Sequence, residues 1–142
     1  MHVAKDSVDL RMEIPGAVIR QRRNLGEVSG SPKISVEYFT LAAGIDTTPL
    51  FEGLEGNLCQ CPHWGFVLRG QLTTIDAQGT RETVQANDLF YWPPGHNVKV
   101  VADAEIVMFS PQLEHAVVID HMIRKVRTEA PEPAWPGRGD AG

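Results

Sequence analysis

Positive charge, cysteine and long apolar runs are all scarce in this sequence. Thirteen Lys and Arg stand against 18 Asp and Glu over 142 residues, a formal net charge of −5. That balance argues against nucleic-acid binding, which relies on a basic face to neutralise phosphates. The basic cluster Arg20, Arg22 and Arg23 reads as an exposed strand or loop end. No apolar stretch approaches the length of a membrane span, and the opening run Met1 to Asp6 lacks the apolar region of a signal peptide. The expectation is a soluble, cytoplasmic protein with no membrane partner. Cysteine is limited to Cys59 and Cys61. On one strand their side chains would share a face yet stand too far apart for an unstrained disulfide. Free thiols in a reducing compartment, available as metal ligands, are expected instead.

Hydrophobic residues make up 42% of the chain, enough to bury one core, and charged residues only 22%, which excludes a disordered class. The length fits one domain. Asp9–Ile14 and Ala17–Arg22 read as short strands separated by the Pro15-Gly16 turn signal, and Lys33–Leu41 alternates as a strand rich in β-branched and aromatic residues. Short strands then follow in quick succession: Cys59–Leu68, Gln71–Asp76, Arg81–Gln85, Leu89–Trp92, Asn97–Val101 and Glu105–Phe109. Frequent turns with no helices alternating between the strands indicate an all-β antiparallel sandwich or barrel. Ser110-Pro111 is a helix-start signal, with Ser110 as the capping residue. Leu113, Ala116, Val117, Met122, Ile123 and Val126 recur at helical spacing, which predicts an amphipathic helix over Pro111–Arg127 packed on the barrel. The expected organisation is an N-terminal arm with strands (1–30), a barrel (31–110), a C-terminal helix (111–128) and a mobile Pro/Gly-rich tail (129–142).

The chemistry concentrates in the run Asn57-Leu58-Cys59-Gln60-Cys61-Pro62-His63. In an extended strand the odd-numbered positions project to one side, so Asn57, Cys59, Cys61 and His63 would share a face. Thiols and imidazole inside a barrel are costly unless something satisfies them, and a metal ion does so. Thiolate and imidazole favour zinc, with iron or nickel as alternatives. A second segment, Asn87 to His96, runs through Phe90, Tyr91 and Trp92 into a Pro93-Pro94-Gly95 turn that delivers His96 towards a barrel mouth. Cys59, Cys61, His63 and His96 are therefore the candidate metal ligands. The plainer reading makes the histidines buried hydrogen-bonding groups and the thiols small buried hydrophobes. Trp64, Phe66, Phe90, Tyr91 and Trp92 are expected in the core or pocket wall. Asp46 and Glu52 lie in a loop that could cap the barrel, and His115 and His121 are expected on the helix surface.

These two segments resemble the paired motifs of the cupin superfamily. Gly70, preceded by Phe66-Val67-Leu68-Arg69, matches the glycine that closes the first motif. Counting back, His63 falls on the family's glutamate, Cys59 on its second histidine and Asn57 on its first. In the second motif Asn87-Asp88 stands at the opening glycine, and Pro93 and Gly95 match its Pro-x-Gly. Val98 occupies the usual metal-histidine position, with His96 two residues earlier at the same strand parity. The chain is similar in particular to small, mostly uncharacterised bacterial cupins that pair a CPHWG-like stretch with PPGH. The resemblance spans residues 35–109 and implies a cupin-type double-stranded β-helix, a jelly-roll barrel, followed by the C-terminal α-helix. It also implies a divalent metal, a small-molecule ligand or substrate and a homodimer. Two functions are open on these residues. One is a metal-dependent enzyme, an isomerase, cyclase, lyase or dioxygenase-like cupin acting on a small organic molecule. The other is a non-catalytic barrel that binds or senses a ligand or metal.

Overall fold

The computed structural model describes residues 1–129. Its strands are β1 (Asp9–Ile14), β2 (Ala17–Arg22), β3 (Ile34–Leu41), β4 (His63–Asp76), β5 (Arg81–Gln85), β6 (Leu89–Trp92) and β7 (His96–Pro111). A short helix α1 (Thr48–Phe51) sits between β3 and β4, and α2 (Gln112–Glu129) ends the described chain. Every strand pairing is antiparallel, in the order β1-β2-β3-β7-β4-β5, with β6 added along β4. The architecture is the expected all-β jelly roll with a C-terminal helix. The expected mobile tail lies outside the described residues from 130 onward.

The N-terminal strands extend the barrel sheet. β2 pairs with β3 from Ala17↔Leu41 to Arg22↔Val36 and turns Ala17, Ile19 and Gln21 inward. Gly16, at φ +85°, supplies the left-handed residue that the tight turn from β1 demands.

Three strand boundaries differ from the sequence reading. Cys59–Leu68 does not start as a strand at Cys59. Pro62 has no N–H to give a ladder, and β4 begins only at His63. From there β4 continues past Gly70 to Asp76 as one strand of 14 residues, where a break was expected. The reason is a bulge. Register against β7 slips between Val67 and Leu72, and Gly70 (φ +87°) brings its backbone so close to Asp103 that an added Cβ would lie 2.1 Å from the Asp103 carbonyl oxygen. Opposite that bulge β7 also runs unbroken through Ala102–Ala104, joining the two strands expected there. The bend lets one strand serve two partners, with residues 63–66 pairing β6 and residues 71–75 pairing β5.

The interior has two apolar clusters. Leu41, Val67, Leu72, Phe90, Ile106 and Met108 belong to the barrel core. Met12, Ile19, Phe51, Val118, Ile119 and Met122 form the layer between the sheet and α2. The buried stripe of α2 is His115, Val118, Ile119 and Met122, at i, i+3, i+4 and i+7. Leu113 and Val117, expected on the packed face, are exposed, and His115, expected at the surface, is buried. Trp64 and Tyr91 also depart from expectation. They are 49% and 48% exposed, with their rings 5.3 Å apart on the outside of the sheet, whereas Phe90 and Trp92 are buried.

Candidate metal centre

Three segments converge on one end of the barrel. After the Pro93-Pro94 turn, Gly95 (φ +90°) turns the chain so that its N–H reaches the Cys59 carbonyl at 2.7 Å, while the Cys59 N–H donates to the His96 carbonyl at 2.9 Å. This isolated antiparallel bridge fixes Cys59 beside His96. His63, the first residue of β4, stands opposite Trp92 in the β4–β6 register. All three side chains are buried, and one ligand atom from each of Cys59, His63 and His96 lies within 4.8 Å of the other two. Cys59 Sγ and His63 Nε2 are 3.5 Å apart.

The imidazoles are held from behind. His96 Nδ1 is 2.7 Å from the Pro93 carbonyl oxygen. A carbonyl only accepts, so this nitrogen carries the proton and Nε2 keeps a free lone pair. His63 Nδ1 is 2.7 Å from Ser110 Oγ. With Nδ1 engaged there, Nε2 is the nitrogen presented to Cys59. Such outer contacts commonly set the tautomer and direction of a ligating histidine. The expected cap at Ser110 is thus replaced: Ser110 is the penultimate residue of β7, fully buried, and its hydroxyl meets His63.

Burial dominates the electrostatics. It holds His63 well below the usual histidine range, helped by His115 and His96 close by. His96 is lowered for the same reason, with the Pro93 carbonyl pulling the other way. Burial pushes the Cys59 thiol up to about 12, and Cys61 is also raised. Neutral imidazoles are in the protonation state that ligation requires, whereas a buried thiol becomes a ligand only by losing its proton to solvent as an ion enters.

The remaining candidates separate cleanly. Cys61 is buried, but its Sγ faces the carbonyls of Pro62 (3.3 Å) and Pro111 (4.0 Å), outside the Cys59–His63–His96 group. The simple strand parity fails because the chain is not extended here. Asn57 sits in a tight turn at φ +57°, and its side chain accepts the Gly53 N–H at 3.0 Å. Val98 is an apolar wall residue of the adjoining cavity. Asp46 lines the same cavity but accepts hydrogen bonds from the Thr48 N–H and hydroxyl. The Glu52 carbonyl accepts from His121 Nε2, which ties the loop before β4 to α2.

Sequence reasoning missed Glu37, His115 and Ser110. Glu37 and His115 are fully buried, a Glu37 carboxylate oxygen takes the Nδ1 hydrogen bond of His115, and the His115 ring centroid is 4.5 Å from that of His63. The helical spacing of His115 to Val118, Ile119 and Met122 was the available signal.

The centre opens onto a cavity of about 240 Å³. Its walls are mostly apolar, including Phe39, Leu41, Ile45, Ile106 and Met122, with Trp92 beside the histidines. A larger groove of about 570 Å³ runs along the β1–β2 turn past Glu13, Arg69 and Asp103, away from the three donors.

Comparison with solved structures follows this architecture. A single-residue variant of the oxalate decarboxylase of Bacillus subtilis superposes with a TM-score of 0.53 at 19% identity, over 75% of this chain and 28% of that one. The oxalate decarboxylase of Lactobacillus farciminis, in complex with formate, gives a TM-score of 0.52 at 20% identity, over 75% of this chain and 31% of that one. This is the cupin fold. At that identity the likeness carries the fold alone, and this chain spans less than a third of either enzyme's length. No family model matches the sequence, and no curated protein matches it. The buried His and Cys groups brought together at one end of the barrel are a potential metal site.

Proposed function

We propose that this cupin holds a divalent ion, zinc in the first instance, on Cys59, His63 and His96, and uses it to bind and activate a small, mainly apolar molecule carrying one oxygen function. The observation behind this reading is the convergence of three buried donors at one end of an otherwise apolar cavity. The donor set fits such an ion. One ring nitrogen of each histidine is already engaged by an acceptor or hydroxyl, and a softer thiolate completes a mixed sulfur–nitrogen group. When bound, the ion supplies Lewis-acid polarisation of a substrate oxygen.

The chain's own residues do the rest. Phe39, Leu41, Ile106 and Met108 exclude water and seat the apolar body. Trp92 lines the cavity, and its indole N–H, buried and without a hydrogen-bond partner among the described residues, would be satisfied by a ligand oxygen that reaches it. Among the described residues no lysine or arginine lines the cavity. A dianion such as the oxalate of the similar enzymes would find no side-chain counter-cation there, and the reading does not extend to it.

A sensing or storage role is the second reading, favoured by one observation. Asp46, the carboxylate of the cavity wall, is already engaged by Thr48 and lies 3.7 Å from Lys99, so it is not a free acid–base group.

The test begins with elemental analysis of the untagged chain purified without added metal or chelator. Near-stoichiometric zinc, iron or nickel is expected. Cys59→Ser and His63→Ala should lose it, while His121→Ala, which removes only the tie to the Glu52 carbonyl, should keep it. Equal metal content in all of these variants would refute the centre. Turnover of small apolar ketones or phenols by the loaded protein supports the enzyme, and binding without turnover supports the sensor.

A further inference from the structure

The centre above leaves Glu37 without a task. It is the only fully buried carboxylate among the described residues. It projects from β3 between Gln21 of β2 and Met108 of β7, which stand opposite it in the two ladders. One carboxylate oxygen takes the His115 hydrogen bond, and the other, Oε2, has no partner among the described residues. Nearby in the same ladders, Ser35 Oγ and Gln21 Nε2 are buried and unpartnered as well. A buried carboxylate with an unmet oxygen is costly, and a cation is the partner that removes that cost most completely. Two imidazoles are already in place for one: a Glu37 oxygen and one nitrogen each of His63 and His115 lie within 4.8 Å of one another.

We propose that Glu37, His63 and His115 form a second cation seat, adjoining the first and sharing His63 with it, that takes a hard divalent ion such as manganese or iron(II). It rests on the reading of the first centre only through His63. The first seat offers sulfur and nitrogen, and the second offers oxygen and nitrogen with no sulfur. By ligand softness, zinc goes to the Cys59 side and manganese to the Glu37 side. Because His63 belongs to both groups, the two ions compete for it, and the barrel holds one at a time. The metal supplied then sets where the charge sits, beside Cys59 and His96 or beside Glu37 at the β3–α2 contact.

The experiment is a manganese(II) titration of the full-length, metal-free chain, read by the electron paramagnetic resonance signal of the free hydrated ion. About one manganese per chain is expected in the wild type and in Cys59→Ser, with affinity lowered at least about tenfold in Glu37→Gln and in His115→Gln. Adding about one equivalent of zinc to the manganese-loaded wild type should release the manganese. That exchange needs no variant, so a misfolded Glu37→Gln cannot blunt the test. The proposal is overturned if the wild type binds no manganese, if folded Glu37→Gln and His115→Gln bind it as tightly as wild type, or if manganese and zinc bind together. Zinc affinity in Cys59→Ser reports on the first seat separately: if it is unchanged, that seat fails while the manganese result stands on its own.

Discussion

Burial sets the protonation of this site before any ligand arrives, and the consequence can be read as stability against pH. In the metal-free protein His63 and His96 stay neutral below the pH at which they would protonate in the unfolded chain. The unfolded state therefore gains protons first as pH falls through about 6.5, the ordinary histidine value, and stability falls with it. Each histidine contributes a slope of up to about 1.4 kcal/mol per pH unit. At the other end Cys59 stays a thiol up to about 12, while in the unfolded chain it ionises near 9.0, so stability is lost as pH rises through that window. Urea denaturation across pH should show a plateau between about 6.5 and 9, and His96→Gln should flatten the acid limb. An acid limb unchanged in that variant would mean that His96 is not held neutral. Trp92 carries a separate expectation. Trp92→Phe keeps the ring packed against Phe90 but removes the free N–H. The zinc content should be unchanged, and the affinity for an oxygen-bearing ligand should fall about tenfold, in line with a lost buried hydrogen bond of roughly 1.5 kcal/mol. Calorimetric titration decides it.

Among the elements, β4 explains how the site is built. It supplies His63 at its first residue, bends at the bulge around Gly70, and continues as the partner of β5. Both of its glycines are required by close approach. A Cβ on Gly65 would lie 2.3 Å from the Phe90 ring and 2.5 Å from the Val107 carbonyl oxygen. At Gly70 the clash is with backbone of β7, and the left-handed φ adds strain. Gly65→Ala and Gly70→Ala should each cost roughly 1–3 kcal/mol from overpacking, with Gly70→Ala the larger because its three nearest contacts are all backbone and its φ of +87° is left-handed. Chemical denaturation measures both, and a Gly70→Ala protein as stable as wild type would mean that the β4–β7 bulge is not as described. Helix α2 is the other positioning element. Val118 and Met122 of its stripe line the cavity, and the helix carries His115 inward to Glu37 and His63.

At the scale of the molecule, the barrel cluster and the cluster under α2 adjoin through Ile14 and Phe39. Met12 and Ile19 from the N-terminal strands, Phe51 from α1, the two cysteines and the α2 stripe belong to a single cluster. Val67, Leu72, Ile106 and Met108 of β4 and β7 belong to the barrel cluster, and Ile14 and Phe39 pack against both clusters, so the candidate site draws on the two together. Unfolding should be cooperative, with the far-ultraviolet signal of strands and helix and the fluorescence of buried Trp92 changing together at one denaturant midpoint. Distinct midpoints would show that α2 detaches before the barrel opens. Among the described residues no helix is long and apolar enough to cross a membrane. Outside the sheet, Trp64 stands in register with Tyr91 on one side and Phe109 on the other, and all three are exposed.

The sequence determined the class of fold, because period-two alternation, turn glycines and the spacing of strand signals are local properties that survive without knowledge of the partners. Strands β1, β2, β5 and β6 fall where the pattern puts them. It also singled out Cys59, Cys61, His63 and His96 as candidate ligands, since thiols and imidazoles inside apolar strands stand out by cost alone. Only the tertiary structure decided which polar residues meet. Asn57 and Cys61 share a parity with Cys59 and His63 on paper, yet a turn and a proline remove the extended geometry that parity assumes. Glu37 and His115 are 78 residues apart and meet because β3 pairs with β7 and α2 folds back across both. Helical periodicity fixes the spacing of a stripe but not the angle at which the helix lies down. That angle is set by the surface it packs against, and here it turned His115 inward and left Leu113 and Val117 in solvent.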